Sequence, residues 1–294
     1  MSEHGNAGIP GERGVIRAGN FELGYAIEGD GKPALVIGSA VYYPRTFSDR
    51  LRQELKLVFL DHGGHGRPSG AFEPSDYGLG TVLADVEAAR RQLGLDEVVV
   101  IGHSGNGYLA LEYAKAYPQR VSHVVMIATG PSLGPAHMRL AERYWEEAVC
   151  PERKAKLESD LRQLPADIQA APERRFAAFC IRMGARSWYD HDYDATALWD
   201  GVGVNMPVVD HMWGTLFRDV DVAAGLCELD VPVFLALGRF DYLVPPYAAW
   251  DPYRDRFRDL TVRVFDRSGH TPQLEESGAF DDELLRWLAG RPAR

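Results

Sequence analysis

The sequence predicts an α/β protein, with a mostly parallel central sheet flanked by helices and interrupted by a helical cap. Three observations predict it. Short apolar, β-branched runs alternate with helical patterns through the first part of the chain. The alternation stops at Thr129-Gly130-Pro131, and a mainly helical stretch rich in Arg, Glu and aromatics follows. Strand and helix patterns then resume at Val231. The expected organisation is a core in two parts, residues 1–131 and 230–294, with a cap at 132–229 between them. Residues 1–14, polar and glycine-rich, are expected to be a loose tail.

Each element has its own signal. Phe21 to Glu28 alternates as a strand, and Gly29-Asp30-Gly31 reads as a hairpin turn. Ala34 to Ile37 and Leu57 to Leu60 read as buried strands. Between them, Thr46 to Leu55 reads as a helix capped by Thr46 or Ser48. Leu79 to Leu93 has amphipathic helical spacing and meets a stop at Gly94. A strand at 98–101, a helix at 108–117 and a strand from Val121 to Ala128 complete the first part. After the cap come a strand at 231–237, a helix at 246–257, a strand from Thr261 to Phe265 and a last helix from Phe280 to Leu288.

The chain has 294 residues, 46% of them hydrophobic, enough for one large domain with an insertion. Its net charge of −10 argues against nucleic acid, whose phosphates require basic patches. No apolar run approaches the roughly 18 residues of a membrane span, so no membrane partner is expected. The N-terminus lacks the pattern of a secretory signal, and a cytoplasmic location is expected. Cys150, Cys180 and Cys227 have neither disulfide nor metal-ligand spacing and are expected to be core or half-buried thiols. The expected partner is a small-molecule substrate. A homodimer is left open. No cofactor is expected.

The chemistry concentrates at Gly102-His103-Ser104-Gly105-Asn106-Gly107, directly after a strand and before a helix. That layout is a nucleophile elbow, a strained turn that lifts the Ser104 hydroxyl above the sheet edge. The match departs from Gly-x-Ser-x-Gly, because Asn106 stands where the last glycine belongs. A serine hydroxyl needs a histidine to take its proton and an acid to orient that histidine. In such a sheet those groups sit on loops at the carboxyl ends of later strands. Asp241 and His270 fall at the ends of two consecutive strands, and Asp266 is a rival acid. His62 and His65 lie in a glycine-rich turn without evident further ligands, so no metal is expected.

Four signals occur together: the elbow, Asp61-x-Gly-Gly-x-Gly, Gly-Arg-Phe-Asp before Val-Pro-Pro, and Ser-Gly-His followed by Glu275-Glu276. In them the chain resembles the capped serine-hydrolase branch of the α/β-hydrolase superfamily, from about residue 21 to residue 288. The resemblance implies Ser104 as nucleophile, His270 as base and Asp241 as orienting acid. Relatives carry His-Gly after the third strand; here Gly38-Ser39 stands in its place. The backbone N–H groups of Ala40 and Gly105 are the expected oxyanion hole. Tyr42, Tyr43, Trp188 and Trp213 are expected to line an apolar substrate pocket. The acidic run Asp190 to Asp194 is either a solvated loop or a site for a cationic group. The expected activity is hydrolysis of a carboxylic ester or lactone of a small, mainly apolar molecule through an acyl-enzyme. The alternatives are an amide hydrolase resembling prolyl aminopeptidases, and a ligand-binding protein or lyase on the same fold.

Overall fold

The computed structural model describes residues 11–291. Among the described residues nine strands form one sheet: β1 (Glu12–Ala18), β2 (Phe21–Glu28), β3 (Lys32–Gly38), β4 (Leu55–Asp61), β5 (Arg67–Pro68), β6 (Val98–His103), β7 (Val121–Ile127), β8 (Val233–Gly238) and β9 (Leu260–Phe265). Their spatial order is β1-β2-β4-β3-β6-β7-β8-β9, with β5 beside β2. From β4 through β9 every pair on this path is parallel, and β2 runs antiparallel to both β1 and β4.

The helices of the first part are α1 (Asp49–Glu54), α2 (Leu79–Gln92) and α3 (Asn106–Ala116). Ser48 caps α1, its hydroxyl accepting from the Leu51 N–H at 3.1 Å. The chain leaves α2 through Gly94 at φ +65°, a conformation that glycine adopts without strain. Between β7 and β8 lie α4 (Pro135–Ala148), α5 (Pro151–Ala170), α6 (Arg175–Arg182), α7 (Gly184–Ser187), α8 (Met206–His211) and α9 (Phe217–Asp219). Two more, α10 (Pro272–Glu275) and α11 (Ser277–Ala289), close the chain.

The strand residues sort themselves between the two faces of the sheet by their alternation. Leu35, Ile37, Val98 and Val100 pack with Val86 of α2 and Tyr113 of α3. Ala34, Val36, Val99 and Ile101 pack with Leu51 of α1 and Leu284 of α11. Burial on both faces is why these strands read as continuous apolar runs.

Four expectations need correction. Residues 1–10 of the expected tail lie outside the described residues, but residues 12–14 belong to β1. Gly29-Asp30-Gly31 is not a hairpin: β3 passes over β4 and pairs with β4 and β6. β3 is an interior strand whose backbone pairs with β4 and β6, and the hairpin instead joins β1 to β2 through Gly19 at φ +52°. Residues 247–256 coil as tighter 3₁₀ turns, because Pro252 has no N–H to give an α-helix. Cys150 and Cys227 are exposed; Cys180 alone is half-buried. No helix among the described residues is long and apolar enough to cross a membrane.

Candidate active site

Ser104 sits between β6 and α3 with φ +58°, a left-handed conformation that costs a non-glycine residue about 1–3 kcal/mol. Its surroundings hold it there. The Ser104 N–H donates to the Ile127 carbonyl at 2.8 Å, and the Thr129 hydroxyl donates to the Ser104 carbonyl at 2.9 Å. The turn is too tight for side chains nearby. A Cβ on Gly102 would stand 2.1 Å from the Asn106 carbonyl oxygen, and one on Gly107 would stand 2.0 Å from Thr129 Oγ1. Gly105 caps α3, so its N–H lies outside the helical hydrogen-bond ladder.

His270 and Asp241 are brought together from the loops after β9 and β8. Their side chains meet at 2.8 Å, Nδ1 to Oδ2, and both are buried. The pairing places the imidazole proton on Nδ1 and leaves Nε2 as an acceptor. Asp241 Oδ1 accepts from the Leu243 N–H at 3.0 Å, which fixes the carboxylate plane. Asp266 is elsewhere, in a surface ion pair with Arg239 at 2.7 Å.

Ser104 and His270 line one cavity of about 440 Å³, and Tyr42, Tyr43, Trp188 and Trp213 line it too. The wall also includes Phe176, Phe179, Cys180 and Trp199. Burial pushes the Cys180 thiol up to about 12, so it stays protonated. The charged groups on the wall are Glu142 and Arg186, joined by two hydrogen bonds of 2.7 and 2.8 Å. Arg186 also stacks on the Trp145 ring at 4.6 Å.

The Ala40 N–H is not available to an oxyanion. It donates to Asp61 Oδ1 at 2.7 Å, and the Gly24 N–H donates to Oδ2 of the same carboxylate at 3.0 Å. Ser39, one residue earlier, lines the cavity instead. Its hydroxyl turns back to accept from the Val41 and Tyr42 N–H groups. The local sequence carries no sign of this, because the carboxylate that claims Ala40 comes from the end of the neighbouring strand.

The acidic run does not reach the cavity. Asp190 and Asp194 accept from the backbone N–H groups of Asp192 and Thr196, closing exposed turns. His62 Nδ1 accepts from the Gly64 N–H, and His65 Nδ1 meets the Gly203 carbonyl at 2.9 Å. Burial keeps both rings below the usual histidine range. No cluster of three or more metal-ligating side chains occurs among the described residues.

One feature of the site had no signal in the sequence. The segment around α7 grips the loops that carry Asp241 and His270. The Arg186 carbonyl accepts from the Tyr242 N–H at 3.0 Å, and the Ser187 carbonyl accepts from the His270 N–H at 2.5 Å. Glu275 accepts from Gly269, Thr271 and Tyr189 N–H groups, joining the His270 loop to the cap. Buried Arg153 of α5 donates to the carbonyls of Ala185, Trp188 and Tyr189 and sets the shape of the gripping segment.

Comparison with known proteins finds the same fold elsewhere. The chain is 43% identical over 275 residues to the AB hydrolase superfamily protein YclE of Bacillus subtilis, covering 94% of this chain and 98% of that protein. It is 28% identical to a pimeloyl-[acyl-carrier protein] methyl ester esterase of Klebsiella pneumoniae, over 80% of this chain and 84% of the other. A solved proline iminopeptidase of Mycobacterium smegmatis superposes with a TM-score of 0.71 at 18% identity, over 95% of this chain and 98% of that one. The family model for the α/β hydrolase fold matches residues 33–277, and the chain belongs to that family.

Proposed function

We propose that this chain is a serine hydrolase that cleaves a carboxylic ester or lactone of a small, mainly apolar molecule. The observation that carries the reading is the buried His270–Asp241 pair sharing a cavity with a serine held at positive φ. Ser104 attacks the carbonyl carbon while His270 Nε2 takes its proton. Asp241 holds the tautomer and stabilises the imidazolium. The oxyanion is received by the N–H groups of Gly105 and Ser39. His270 returns the proton to the leaving alkoxide, and water, deprotonated by the same nitrogen, releases the acid. The aromatic wall favours an apolar substrate. An amide substrate with a free amine is disfavoured, because Glu142, the carboxylate on the cavity wall, is already paired with Arg186.

The test is intact-protein mass after treatment with a fluorophosphonate. The expected result is one adduct on the wild type and none on Ser104→Ala, with p-nitrophenyl esters of short acids turned over faster than amino-acid p-nitroanilides. Turnover by Ser104→Ala should fall by about 10⁴-fold or more. A folded wild type that takes no adduct overturns the reading.

A further inference from the structure

Asn106 breaks the small-residue pattern of the elbow, and a buried side chain needs a reason to be there. Its Nδ2 donates to the Tyr43 hydroxyl at 3.1 Å. That hydroxyl lies 3.2 Å from His103 Nδ1, and His103 Nε2 lies 2.6 Å from the main-chain carbonyl of His270. All four residues are at least nine-tenths buried.

The direction of every bond in this series is fixed by its ends. A carbonyl only accepts, so His103 Nε2 carries a proton, and in the neutral ring Nδ1 is the acceptor. Tyr43 therefore donates to His103 and must accept from Asn106, which orients the Asn106 amide. The series ends at Asn106, whose Oδ1 is buried and makes no hydrogen bond with any described residue.

We propose that Asn106, Tyr43 and His103 form a one-directional hydrogen-bond relay that positions His270 and keeps the neighbouring His103 uncharged. The relay rests on the hydrolase reading above. The His103 and His270 rings stand 4.8 Å apart, so a second positive charge there would oppose the imidazolium that forms during turnover. With a hydroxyl donating to one nitrogen and a carbonyl accepting from the other, a second proton on His103 would have to turn the Tyr43 hydroxyl away and reverse the Asn106 amide. Desolvation acts the same way, pushing His103 down to about 3. The relay also ties the loop carrying Ser39 and Tyr43 to the elbow and to the His270 loop. Asn106, Tyr43 and His103 act through His270 and are positioning residues.

The experiment compares wild type, Tyr43→Phe, Asn106→Ala and the double variant on a p-nitrophenyl ester, with thermal unfolding as the check on folding. Each single change should lower kcat about tenfold with KM within about twofold, and the double variant should be no slower than the worse single one. Multiplying losses, or an unchanged kcat, overturn the relay. A second reading does not depend on turnover. In protein carrying ¹⁵N-histidine, the His103 Nε2 proton should exchange slowly in wild type and quickly in Tyr43→Phe. Equal exchange in the two overturns the proposal. If fluorophosphonate leaves wild-type Ser104 unlabelled, the hydrolase reading falls while the histidine spectrum still decides the relay.

Discussion

At the scale of single residues, the elbow shows what the sequence can and cannot carry. Ser104 is legible because glycines and a strand–helix junction surround it, and the structure gives each glycine a contact that forbids a side chain. Gly102→Ala should lower the unfolding temperature and abolish most activity, because the clashing atom is a main-chain oxygen that cannot move aside; esterase assays and calorimetry check both. Ala40 was not legible, since which N–H faces the cavity depends on Asp61 reaching across from the next strand. Asp85 carries a separate prediction. Burial against the Gly19 turn raises its carboxyl to about 6, above an ordinary value of 3.8. The unfolded chain loses that proton first, so stability falls as pH rises through this window and stays lower above it. Asp85→Asn should therefore raise the unfolding midpoint at about pH 7.5 and leave it unchanged near pH 4.

At the scale of elements, strands were legible wherever both faces are buried, as in β3, β6 and β7. Their pairing was less so. Gly29-Asp30-Gly31 has the composition of a hairpin, but partner choice is decided by which strands can cover β3, and local residues do not encode that. The helix expected at 246–257 failed on one imino acid, Pro252. The grip of α7 on the loops carrying Asp241 and His270 was invisible because it is made of main-chain groups, which any sequence supplies. It depends on one side chain, Arg153. Arg153→Met should cost about 2 kcal/mol or more, because three carbonyls lose their donor. The same change should lower kcat more than it raises KM, since the loops carrying Asp241 and His270 lose their anchor; denaturant titration and steady-state kinetics check the two parts.

At the scale of the whole molecule, the net charge of −10 predicts how substrates arrive. An ester bearing a negative charge should show kcat/KM rising with salt as the repulsion is screened, while a neutral ester of the same shape should be insensitive. Parallel kinetics across a salt series measure this. A second consequence comes from the contacts between α7 and the loops beyond β8 and β9. The same main-chain bonds seat the cap and align Asp241 with His270. A molecule with its cap swung away would lose the Arg186 and Ser187 bonds that help align the pair, so wide opening and turnover oppose each other. Entry by whole-cap motion would then make each cycle include reassembly of the histidine loop. Entry by side-chain rotation at the wall avoids that step, and Phe179, 44% exposed and bordering the cavity, is placed for it. On this view the gate is a rotamer, and the largest substrate admitted is set by how far one phenyl ring can turn.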